Sequence, residues 1–104
     1  MSRINRGEIW LVDLGMVAKI RPALVLSVPP SDVDRALVTV IPHTTSIRGS
    51  SAEVAVNSTF LKPGAFDAQN LITIPQAKLI RKLGEPATSD LQRVEQAVRR
   101  WLGL

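Results

Sequence analysis

The chain has 104 residues, with 13 lysines and arginines against 9 aspartates and glutamates, a net charge of +4 and a pI near 10.4. That length fits one domain, residues 1–104, which buries roughly three-fifths of its unfolded surface without help from a metal or disulfide. Cysteine is absent, which excludes a disulfide scaffold, thiol catalysis and thiolate metal sites. Asp, Glu and the single His show no ligand spacing, so no metal or cofactor is expected. The basic balance suits an acidic partner. Residues 1–6 carry no apolar run behind their basic residues, and no stretch nears 18 apolar residues. The expectation is a soluble, cytoplasmic protein without a membrane segment.

In chain order, Gly7 to Leu14 is β-rich and apolar on both faces, and Gly15 ends it. Only six residues, Gly15 to Ile20, separate it from a second apolar run that starts near Arg21, so the two strands are expected to pair antiparallel. Pro29-Pro30-Ser31-Asp32 forms a loop. Ala36 to Ile41 reads as a third strand stopped by Pro42, and Ser46 to Ser51 as a polar turn. Ala52 to Val56 is a fourth strand, Ser58 to Phe66 is irregular around Pro63-Gly64, and Leu71 to Ile74 is a fifth. Ala77 to Leu83 either continues the sheet or bends away from it.

The last element is an amphipathic helix. Ser89 with Gln92 has capping-box spacing, and Asp90 sits where the helix dipole favours negative charge. Leu91, Val94, Ala97, Val98, Trp101 and Leu102 recur at helical spacing, which predicts one buried apolar stripe. Glu95 is placed to pair with Arg99, and Gly103 ends the helix. Short strands on brief connections followed by one helix predict a mainly β fold: a small, strongly bent antiparallel sheet or barrel with a C-terminal α-helix on its flank.

Two constellations carry chemistry. Arg21 precedes Pro22 and a buried strand, so its fixed fork of donors is held in one direction, to serve either a phosphate or a nearby carboxylate. Pro42-His43-Thr44-Thr45-Ser46, with Arg48 beyond, gathers hydroxyls, an imidazole and a guanidinium where a strand ends; it is either a binding loop or a self-bonded turn. If the second and third strands pair, both lie at one end of the sheet.

Arg6-Gly7-Glu8-Ile9-Trp10-Leu11-Val12-Asp13-Leu14, then Arg21-Pro22-Ala23-Leu24-Val25-Leu26-Ser27, then Ile41-Pro42-His43-Thr44-Thr45-Ser46 resemble the MazF/PemK family of toxin endoribonucleases in order and approximate spacing. The resemblance implies an SH3-like barrel that forms a homodimer, cleaves single-stranded RNA at short sequences without a metal, and is neutralised by a cognate antitoxin. It makes Arg21 and Thr44 the catalytic pair, with Thr45 the less favoured hydroxyl and Ser46 a substrate contact. Lys19, Arg48 and Lys78 are expected phosphate contacts, each with the alternative of a solvated charge. His43 is chemically the best general base in the chain, since an imidazole titrates near 6.5, although the family does not require it.

The 15–20 connection departs from the family pattern, being short and lacking a carboxylate, so no role for an acidic residue carries over. Met16, Val17 and Ile20 are left to stack on bases or to pack against a second subunit. Two further classes stay open: a gyrase-directed toxin of the CcdB kind, acting through Trp101 to Leu104, and a non-catalytic nucleic-acid-binding barrel. Burial of Trp101 in the helix stripe would weigh against the first.

Overall fold

The computed structural model describes residues 3–15 and 19–104; the expectations for Met16 and Val17 lie outside these. Seven strands run β1 (Ile9–Asp13), β2 (Ile20–Val25), β3 (Leu37–Thr44), β4 (Glu53–Val54), β5 (Ala65–Asp67), β6 (Ile72–Pro75) and β7 (Leu79–Gly84), and helix α1 (Thr88–Leu102) closes the chain. They form one antiparallel sheet in the order β4-β5-β3-β2-β1-β7, with β6 also pairing β3. The sheet bends but does not close into a ring, since β4 and β7 end the path. A mainly β fold with a flanking helix is what the sequence predicts.

Strands β1 and β2 pair through the expected hairpin, from Ile9 opposite Leu24 to Asp13 opposite Ile20. Lys19 closes the connection in a left-handed conformation, φ 57°, donating its N–H to Gly15 O at 2.7 Å and accepting from Leu14 N at 3.0 Å. A non-glycine residue there costs about 1–2 kcal/mol.

Several expectations need correction. Strand β3 does not stop at Pro42 but runs through it to Thr44. One edge of β3 pairs β6 as far as Val40 and β5 from His43, so Pro42 falls in the gap where a missing N–H does least harm to the ladder. The segment read as irregular supplies β5, whereas the fourth strand shrinks to two residues. Of the two readings of Ala77 to Leu83, continuation of the sheet holds: the chain turns after Pro75 and joins the free edge of β1 as β7. The helix starts at Thr88, with Ala87 as a cap that has no side-chain bond. Ser89 therefore lies inside the first turn and cannot cap. Asp90 instead pairs Arg93 at 2.9 Å, and Arg93 also donates to Ala55 O at 3.0 Å. Glu95 pairs with Arg6 rather than with Arg99.

Alternation along the strands sends side chains into two cores. Ile9, Leu24, Ile41 and Phe66 pack with Val94, Ala97 and Val98 of the helix. Trp10, Val12, Ala23, Val25, Val38 and Val40 pack on the other face with Ile74 of β6. Burial of the helix stripe ends at Val98: Trp101 is 50% and Leu102 49% exposed. The helix packs on β4 and the 3-10 turn Ala68–Asn70, and Trp101 borders a shallow cavity shared with Gln69 and residues 50–52. Trp101 is expected to be buried, but it borders an open cavity instead of packed side chains and is left half in solvent.

A buried carboxylate ties the N-terminal turn to both sides of β1. Glu8 accepts from Asn5 N at 2.8 Å and Trp10 Nε1 at 3.0 Å, and pairs with Lys82 of β7 at 3.1 Å. Burial acts to raise its pKa, but the bonds from Asn5, Trp10 and Lys82 outweigh it and hold the carboxyl at about 2. Against an ordinary value of 4.5, this contributes about 3 kcal/mol of stability. The contribution is complete above pH 4.5 and is lost as pH falls toward 2. Glu8→Leu should lower the urea unfolding free energy at pH 7 by about 3 kcal/mol, and its stability should then respond less to pH below 4.5 than that of the wild type.

Candidate active site

The register of β2 against β3 builds the site. Ala23 faces Pro42, Leu24 faces Ile41 and Val25 faces Val40. Carried two residues further, this register sets Arg21 across from Thr44, and alternation puts both on the face of Ala23 and Val25. Arg21 is partly buried and Thr44 likewise, whereas Thr45 and Ser46 are exposed just past the strand end.

Two cavities meet at this pair. The larger, about 580 Å³, is lined by Arg21, His43, Thr44, Thr45 and Ser46, with Lys19 and Ile20 from the hairpin. Lys62, Arg81 and Phe60 complete its wall. It therefore presents four cations, Lys19, Arg21, Lys62 and Arg81, and no carboxylate among its lining residues. The second cavity, about 450 Å³, shares Arg21, Thr44 and Ser46 with the first and adds Arg48. Lys78 is exposed on the turn between β6 and β7 and lines neither.

Thr44 is oriented by its neighbour: its Oγ1 accepts from Ser46 N at 3.0 Å. The hydroxyl proton is then aimed away from the turn and can be donated to a bound oxyanion. Arg48 is positioned through its backbone, since Glu53 accepts from the N–H groups of Arg48 at 3.1 Å, Gly49 at 2.8 Å and Ser50 at 3.0 Å. This claw uses the Glu53 carboxylate and leaves the Arg48 side chain to the cavity.

His43 is in the strand, not in the loop, and is only 4% exposed. Its ring meets Phe66 edge-on, with centroids 5.1 Å apart. A Cβ on Gly64 would come within 2.8 Å of His43 Cε1 and closer still to Thr44 O. Glycine at 64 is what allows that loop to lie against the site. Burial, reinforced by the Arg21 charge, lowers the His43 pKa, so the imidazole is neutral at pH 7. Its Nε2 is buried and has no hydrogen-bond partner among the described residues.

The sequence reading missed Lys62, Arg81 and Phe60. Lys62 and Phe60 lie in the segment read as irregular, and Arg81, exposed on β7, reaches the cavity because β7 pairs it with Leu11 of β1. Lys62 beside Pro63-Gly64 was the available signal, a cation next to a tight loop. Among the described residues no group of three or more His, Cys, Asp and Glu side chains is placed to hold a metal ion. None of their helices is long and apolar enough to cross a membrane.

The model of the family described as PemK-like, MazF-like toxins of type II toxin-antitoxin systems matches residues 5–102. An endoribonuclease solved in complex with its cognate antitoxin, from a mycobacterial species, superposes with a TM-score of 0.83 at 26% identity, over 98% of this chain and 97% of that one. The Mycobacterium tuberculosis toxin MazF-mt6 gives 0.77 at 29% identity, over 93% and 97%. MazF from Deinococcus radiodurans shares the fold over the full length of both chains, TM-score 0.84 at 20% identity.

A histidine buried neutral makes stability depend on pH. Its folded pKa lies below the unfolded 6.5, so its contribution is complete above pH 6.5 and is lost as pH falls below that value. The wild type should lose stability between pH 7 and 5 in urea titrations, and His43→Gln should flatten that slope. The Glu8 carboxylate titrates in a lower window and does not interfere.

Proposed function

The chain belongs to the PemK-like, MazF-like toxin family of type II toxin-antitoxin systems, and from that premise we propose that it is an endoribonuclease acting on single-stranded RNA, held in check by a cognate antitoxin. The observation that carries the reading is that Arg21 and Thr44 both line two adjoining cavities, one of them lined by four cations. Solved relatives above 25% identity are an endoribonuclease with its antitoxin and a MazF toxin.

In the proposed reaction the ribose 2′-oxygen attacks the adjacent phosphorus and the bond to the 5′-oxygen breaks. The products are a 2′,3′-cyclic phosphate and a 5′-hydroxyl; the 2′-proton is released and the leaving oxygen gains one. No protein-bound metal is used in this scheme. Its guanidinium presents donors and no acceptor, so Arg21 acts as a donor, stabilising the charge on the crowded phosphoryl group. Thr44, with its oxygen already accepting from Ser46 N, donates its proton to a non-bridging oxygen. Thr45 and Ser46 present further hydroxyls to the same phosphate. Lys19, Lys62, Arg81 and Arg48 hold the flanking backbone by charge. Lys78, away from both cavities, is proposed to contact only a longer strand. His43, with Nε2 enclosed, shapes the wall rather than exchanging protons with substrate.

The antitoxin is proposed to insert an acidic or apolar segment over Arg21 and the Thr44 turn, and the working form is proposed to be a homodimer in the cytoplasm. The gyrase-directed alternative gains from the half-exposed Trp101 and from Leu104, which is 84% exposed. One assay separates the readings. Incubation with mixed RNA in EDTA should yield fragments with 5′-hydroxyl ends, and Arg21→Ala should slow cleavage about 10²–10³-fold without unfolding the protein. Thr44→Val should also slow it, whereas His43→Gln should retain most of the activity. Intact RNA together with gyrase inhibition would support the alternative.

A further inference from the structure

The two cavities that meet at Arg21 and Thr44 differ in charge. The larger has cations and no carboxylate, whereas the second sets Glu53 and Asp67 against Arg21 and Arg48. A phosphate is drawn more strongly to the first, because the two carboxylates of the second offset its two guanidiniums. The second cavity also has an apolar floor of Leu14, Pro42 and Ile72. An apolar floor with a few fixed polar groups is the character of a site for a flat, hydrogen-bonding ring.

Of the two carboxylates, Glu53 is already used by the backbone of residues 48–50. Asp67 is not saturated. Its Oδ1 accepts from Gln69 N at 3.0 Å, which caps the 3-10 turn and fixes the side chain, and its Oδ2 accepts from Asn70 Nδ2 at 2.6 Å. Carboxylate oxygens have further lone pairs, and an ionised carboxylate can only accept. The bond to Asp67 also fixes the Asn70 amide, leaving its Oδ1 as a second acceptor and its other N–H as a donor. Such a pair matches a nucleobase edge that carries an amino group beside a ring nitrogen: a carboxylate accepts from the cytosine 4-amino group, and an amide takes the adenine amino group with a ring nitrogen.

We propose that this second cavity is a nucleobase subsite, in which Asp67 and Asn70 select an amino-bearing base, cytosine over uracil among the pyrimidines, on the nucleotide next to the phosphate held by Arg21 and Thr44. The proposal rests on the endoribonuclease reading for the identity of the ligand. It makes Asp67 and Asn70 specificity residues and gives them no part in the cleavage step.

Binding of non-cleavable strands tests it without requiring turnover. Single-stranded decamers of 2′-deoxycytidine and of 2′-deoxyuridine lack the nucleophile and differ at the base edge. The wild type should bind the cytidine strand about tenfold more tightly. Asp67→Asn keeps an oxygen for the Gln69 cap but replaces an acceptor with a donor, and it should abolish or invert the preference; Asn70→Ala should weaken it. Arg21→Ala should weaken both strands alike. Equal wild-type affinity for the two strands, or a preference unchanged in folded Asp67→Asn and Asn70→Ala proteins, would overturn the proposal. A cytidine preference lost in Asp67→Asn, in a protein that cuts no RNA, would support the subsite and refute the nuclease reading.

Discussion

The site depends on one constraint, the register between β2 and β3. With Ala23 facing Pro42, the same alternation carried two residues on puts Arg21 and Thr44 on one face of the sheet, where both line the same cavities. A slip by one residue would turn one of them to the other face. The register is held by burial on both sides, because Leu24 and Ile41 belong to the helix-side core while Ala23, Val25 and Val40 belong to the opposite one. No apolar residue in either strand can change face without leaving its core. Two groups on rigid strands are thus aligned by packing that has nothing to do with chemistry.

The same packing sets the electrostatics. Cations from four parts of the chain, Lys19, Arg21, Lys62 and Arg81, surround one concave space that no carboxylate lines. Glu53 folds its own loop and Glu8 binds Lys82 on β7. Burial, with the Arg21 charge beside it, keeps His43 neutral. A site of this kind favours an anion before any specific contact is made, and its on-rates with a polyanion fall as salt rises.

How much of this was legible in the sequence depended on whether the signal was local. Strands β1 and β2, their hairpin and the closing helix follow from periodicity and Gly15. The grouping of Arg21 with Thr44 to Ser46 followed from assuming one antiparallel pair. Pro42 was read as a stop, because local reasoning does not see that the neighbouring edge changes partner there. Strand β5 was hidden because three residues after Pro63-Gly64 carry no period of their own. Trp101 lies on the helical stripe, but burial needs side chains to pack against, and across from it lie the small and polar residues 50–52 and Gln69 around an open cavity. Lys62 and Arg81 were missed for the same reason: which cations converge is a property of β7 returning to β1 and of the loop at Gly64, not of spacing.

The central claim is that Arg21 and Thr44 act on one phosphate as a unit. A double-mutant cycle on cleavage, with Arg21→Ala, Thr44→Val and the double variant compared by kcat/KM, tests it most directly. The account predicts strong non-additivity, the double variant being little slower than the worse single one. Effects that multiply fully in folded proteins would contradict it.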